Sequence, residues 1–126
     1  MTTPLIIDCD PGIDDMMALL VACASPEVEL LGVGTVAGNV DLETATTNAL
    51  SVLTSAGRAD VPVAQGCARP LVRARRHQER PAHTAGGLGG ARFPAPAVAP
   101  GRRPAPRRRR RAREGATVGP WNPGHY

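Results

Sequence analysis

An α/β fold built on a small parallel sheet and followed by a disordered tail is what three features of this 126-residue chain predict. Short apolar runs alternate with longer amphipathic stretches in the order strand, helix, strand, helix, strand, as when crossover helices join parallel strands. Four aspartates stand in eight residues, Asp8-Cys9-Asp10-Pro11-Gly12-Ile13-Asp14-Asp15, directly behind the first apolar run. From about Ala74 the composition changes, and arginine and proline take the place of residues that a core could bury.

Leu5 to Ile7 is apolar and β-branched, which predicts a buried first strand. Pro11-Gly12 forces a turn, and Asp14 and Asp15 then open a helical run through Met16, Met17, Ala18, Leu19, Leu20, Val21 and Ala22. A second strand, a second helix and a third strand follow in order. Asp41 is placed to cap a helix through Leu42, Ala45, Ala49, Leu50 and Leu53, closed by Gly57, with Thr44, Thr47 and Asn48 on its polar side. Three strands leave a sheet edge in need of a neighbour, because parallel sheets are ordinarily buried on both faces.

The acidic cluster carries the chemistry. Side chains two apart in a strand share a face, so Asp8 and Asp10 are expected to point the same way, and the turn brings Asp14 and Asp15 back toward them. Asp10, Asp14 and Asp15 then converge at the carboxyl end of a strand, where open α/β sheets carry their sites. A helix cap needs one carboxylate and a solvated strand end another, which leaves most of the cluster unexplained. Carboxylates this dense repel one another unless a cation or shared protons offset the charge, which points to a hard-metal site.

These residues resemble the amino-terminal signature of the nucleoside hydrolases, the inosine-uridine-preferring N-ribohydrolase family. Further stretches are similar in order: Pro26 to Val33, Thr35 to Asn39, Val61 to Cys67, Arg69-Pro70-Leu71, and a glycine loop from His83 to Gly90 in which Thr84 stands where the family has glycine. The resemblance covers about the first ninety residues. It implies a truncated Rossmann-like parallel sheet, the amino-terminal βαβαβ of the family fold. It divides the chain into a partial hydrolase domain over 1–73, a glycine-rich loop region over 74–92, and an Arg/Pro-rich tail over 93–126.

The same resemblance implies hydrolysis of the N-glycosidic bond of ribonucleosides to ribose and free base, with Ca²⁺ as cofactor. Asp10 and Asp15 are then the metal ligands, Asp10 also being the general base toward the attacking water. Asp14 and Asn39 bind the ribose hydroxyls, Asp8 supports the cluster, and His83 acts from the loop that covers the nucleoside. Ca²⁺ takes roughly six to eight oxygen ligands, so these carboxylates fill only part of its shell. In the family the other ligands and the leaving-group acid lie in a second half absent here, which implies an inactive fragment; the full-length parent is expected to be a homo-oligomer, and with no apparent targeting or membrane segment the cytoplasm is the expected location.

Two other function classes fit parts of the chain. An Asp-x-Asp phosphatase or phosphotransferase would use Asp8 as nucleophile and Asp10 as acid with Mg²⁺, but Pro11-Gly12 followed by Asp14-Asp15 suits the ribohydrolase pattern better. A non-enzymatic remnant with a nucleic-acid-binding tail would exploit the arginines. All fifteen basic residues are arginine and only Arg58 precedes Arg69, so the formal charge of +4 belongs to the tail. No stacking aromatics interleave Arg102, Arg103, Arg107 to Arg111 and Arg113, which argues against nucleic acid as partner. Arginine codons of the CGN type become GNC one base later, and the shift permits a family-like helix after Pro100, so an out-of-frame origin accounts for the tail. No apolar run is long enough to span a bilayer, and no charged segment with an apolar core opens the chain. Cys9, Cys23 and Cys67 form no CxxC pair and read as reduced, buried thiols.

Overall fold

The computed structural model describes residues 1–69, 72 and 86–102. Strand β1 spans Thr3–Cys9, helix α1 Ile13–Ala24, β2 Val28–Thr35, α2 Leu42–Ser55, β3 Val63–Gln65 and β4 Gly101–Arg102. The four strands lie in the order β1-β2-β3-β4 and every pair is parallel. The expected α/β order is present. The fourth strand was not expected, and it pairs Ala64 with Gly101 and Gln65 with Arg102 along the outer edge of β3.

Helices α1 and α2 pack against each other and against β2, so both lie over one face of the sheet. Their inward residues close the core: Leu19, Ala45, Ala49 and Val52 are fully buried, and Leu53, Val33, Val63 and Leu30 nearly so. Each such side chain removed from water contributes about 1.5–3 kcal/mol before the entropy of ordering is set against it. The Asp41 carboxylate caps α2 as expected, accepting from Thr44 N at 2.9 Å and from the Thr44 hydroxyl at 2.8 Å. Gly57 follows the helix at φ +70°, a left-handed position that favours glycine.

Three expectations need correction. The first strand is not buried: among the described residues it is an edge strand with β2 as its one neighbour, and Ile6 is 70% exposed. With both helices on one face, the two-residue alternation leaves Ile6 on the other. Asn48 is not on the outer side of α2 but buried at 8% exposure. Among the cysteines, all free, Cys9 is buried, Cys23 half-buried and Cys67 exposed, because Cys67 lies past the end of β3.

Candidate active site

The ends of β1 and β2 are held side by side, which sets the site. Val36 N donates to Cys9 O at 3.0 Å just beyond the last ladder pair, Cys9 with Thr35. Thr46 spends its one hydroxyl hydrogen on Leu42 O at 2.6 Å, so the 2.8 Å contact between the Thr35 and Thr46 hydroxyls has Thr35 as donor. That buried pair pins the end of β2 to α2 and positions the loop that carries Asn39.

Asp10 is the centre of the arrangement. Its Oδ2 accepts from the Asn39 backbone N–H at 2.6 Å, its carbonyl lies 3.5 Å from Asn39 Nδ2, and its own N–H donates to Asp15 Oδ2 at 3.2 Å. Three of the expected site residues, Asp10, Asp15 and Asn39, are thus brought together from 29 residues of sequence. Asp14 sits beside them, exposed in the first turn of α1, whose N-cap is Gly12 and not a carboxylate. Asp8 is exposed near the end of β1, opposite Gly34 in the ladder. His83 lies outside the described residues.

Two glycines that composition alone does not single out make room for the carboxylates. A Cβ on Gly38 would overlap Asp10 Oδ2, and one on Gly34 would stand 2.9 Å from Asp8 Oδ1. Side chains at either position would push the acids away. Gly38 in particular lets Asp10 lie flat against the backbone that donates to it.

The electrostatics are those of crowded carboxylates. Burial first, and the neighbouring charge of Asp10 second, push the Asp15 carboxyl above the ordinary carboxylate range, with the Asp10 N–H partly offsetting them. The Cys9 thiol is pushed up to about 12, chiefly by burial and then by Asp15, Asp8 and Asp10, so it is an inert thiol. No group of three or more His, Cys, Asp or Glu among the described residues is assembled to hold a metal ion. Asp10 and Asp15 nevertheless fit as part of a hard-cation shell: both offer oxygen, and a cation would relieve the repulsion between them.

Linkage supplies a test. Because the folded pKa of Asp15 is raised, protonated Asp15 stabilises the fold at low pH, and that contribution is lost as pH rises through the folded pKa. In metal-free protein, Asp15→Asn should therefore raise the melting temperature at neutral pH and have little effect at the acid end. The difference between variant and parent melts across pH isolates this residue from the other carboxylates. An equal shift at every pH would show that the perturbation is absent.

This parallel α/β sheet gathers carboxylates and an asparagine at the carboxyl ends of its strands, where open α/β sheets carry their sites. The family model for the inosine-uridine preferring nucleoside hydrolases matches residues 5–118, and the chain belongs to that family. It is 48% identical over 100 residues to a pyrimidine-specific ribonucleoside hydrolase of Photobacterium profundum, covering 79% of this chain and 32% of the relative. It is 47% identical over 94 residues to an inosine-uridine preferring nucleoside hydrolase of Leishmania major, covering 75% and 30%. Among solved structures, a plant nucleoside hydrolase superposes with a TM-score of 0.72 at 40% identity, covering 79% of this chain and 32% of that one. The chain therefore spans about a third of the length of the relatives it matches. No helix among the described residues is long and apolar enough to cross a membrane.

Proposed function

We propose that this chain supplies the acidic half of a ribonucleoside N-glycosidase site, in which the N-glycosidic bond is hydrolysed to ribose and free base. The observation that carries this is the meeting of Asp10, Asp15 and Asn39 at the carboxyl ends of β1 and β2. Asp10 and Asp15 would hold Ca²⁺, which when bound polarises water and orients ribose hydroxyls. Asp10 takes a proton from the attacking water as its oxygen bonds to the anomeric carbon. The bond to the base breaks with its electron pair leaving on the base nitrogen, through an oxocarbenium-like centre. Asp14 and Asn39 hold the ribose hydroxyls, Asp8 supports the cluster and His83 covers the nucleoside.

The free thiols agree with a cytoplasmic protein. The substrate is a ribonucleoside, and the matched relatives carry different base preferences in their names, so the proposal stops at that class. An acid for the leaving base and further metal ligands would come from a chain of family length. The 126 residues alone should therefore cleave neither inosine nor uridine at a measurable rate. Residues 1–92 joined to the downstream two thirds of the Leishmania major relative should cleave at least one of them when given Ca²⁺. A folded, calcium-loaded chimera that cleaves neither would overturn the proposal.

A further inference from the structure

One side chain hydrogen-bonds both the glycine-rich loop and the turn of the acidic site. Asn48, in the second turn of α2, donates from Nδ2 to Gly86 O at 2.9 Å and to Pro11 O at 3.2 Å. Both partners are carbonyls, which can only accept, so the amide must present its NH₂ group to them and both of its hydrogens are used. Pro11 belongs to the turn between Asp10 and Asp14, and it is fully buried. One amide therefore fastens the loop to the backbone that spaces the carboxylates.

The loop is shaped to meet this amide. Gly87 is buried at φ +80°, and a Cβ there would stand 2.8 Å from Val40 Cγ1, 3.2 Å from Asn48 Nδ2 and 3.4 Å from Pro11 O. Gly89, at φ +61°, sits so near the first residue of α1 that a Cβ would stand 2.7 Å from Ile13 Cδ1. Apart from buried Leu88, the underside of the loop is not packed solid. A cleft of about 390 Å³ runs between α2 and the loop, lined by Asn48, Ser51, Leu88 and Phe93 among others. Leu88 joins the apolar core and Phe93 packs against it, contacts without direction, while the two amide hydrogen bonds fix which loop carbonyl faces α2.

We propose that Asn48 is a positioning residue that ties the glycine-rich loop to the Pro11–Gly12 turn, so that the seat of the loop and the spacing of the carboxylates move together. The link to metal and nucleoside rests on the site assignment of the preceding subsection. The attachment itself does not.

Hydrogen exchange on the 126-residue chain tests it. Asn48→Asp keeps the side-chain shape but turns a carboxylate toward two carbonyls at neutral pH. It should speed exchange of the 87–91 and 12–14 amides by about tenfold or more, with the β2 amides unchanged. Gly87→Ala attacks the same contact from the loop side and leaves α2 intact, so it should free the same amides even if the buried aspartate prevents folding. In the chimera of family length, Ca²⁺ should slow the loop amides, and Asn48→Asp should abolish that slowing. Unchanged loop exchange in Gly87→Ala, or acceleration of β2 together with the loop, would overturn the proposal. Calcium titration of the chimera of family length by calorimetry is read separately: a folded chimera that binds no Ca²⁺ refutes the metal assignment, and the metal-free exchange on the 126-residue chain still decides Asn48.

Discussion

Replacing Asp10 by alanine should remove calcium binding and nucleoside hydrolysis together. In the chimera of family length, kcat/KM is expected to fall by at least ~10³-fold, because a single carboxylate would serve as ligand and base. Its neighbours explain why no other group substitutes. The Asn39 N–H that donates to Asp10 at 2.6 Å would lose its partner, and Asp15 would be the only carboxylate of the pair left to meet the ion. A second readout separates this from simple unfolding. Without the Asp10 charge, the Asp15 carboxyl should titrate closer to its ordinary value, since Asp10 is the second cause of its displacement after burial. Isothermal titration with Ca²⁺ and steady-state assays on inosine and uridine check the first part, and carboxyl NMR titration the second. If calcium affinity and turnover both survive, the site is wrongly assigned.

Leu19→Ala should unfold most of the metal-free chain at physiological temperature. Leu19 is fully buried on the side of α1 that faces the sheet and α2. Truncating such a leucine costs about 2–5 kcal/mol, and a core of this size rarely supplies more than roughly 3–5 kcal/mol in all. Met17, two residues earlier on the same helix and 56% exposed, is the internal control: Met17→Ala should barely move the transition. Urea melts followed by far-ultraviolet circular dichroism compare the two. A Leu19→Ala midpoint equal to that of the parent would mean that the core is elsewhere.

Much of the fold and part of the site were legible in the sequence because their causes are local. Asp41 before an amphipathic run announces its own helix, and the carboxylate does bond Thr44 N. Asp10 and Asp15 lie five positions apart across the Pro11-Gly12 turn, so local chain geometry is enough to bring the Asp10 N–H onto the Asp15 carboxylate. Asn39 could be named from a motif, but its contact with Asp10 spans 29 residues and exists only because β1 and β2 pair in parallel.

Asn48 departs from the expected polar face for a related reason. A polar residue at a polar-looking helical position is usually solvated, and periodicity does not show that a loop nearly forty residues later will supply it with an acceptor. The one sign in the sequence was that asparagine is a poor helix-interior residue, which asks for a partner beyond its own helix.

By itself, then, the sequence determined the alternation of strands and helices, the capped start of α2 and the density of acid at the end of the first strand, since each depends on neighbours within a few residues. Only the tertiary structure decided that β1 is an edge with Ile6 exposed, that Gly101–Arg102 pairs with β3, that Gly38 makes room for Asp10, and that Asn48 is buried between Pro11 and Gly86. These depend on which distant segments come into contact. Spacing along a chain records which residues would be buried together on one element, but not what is packed against them.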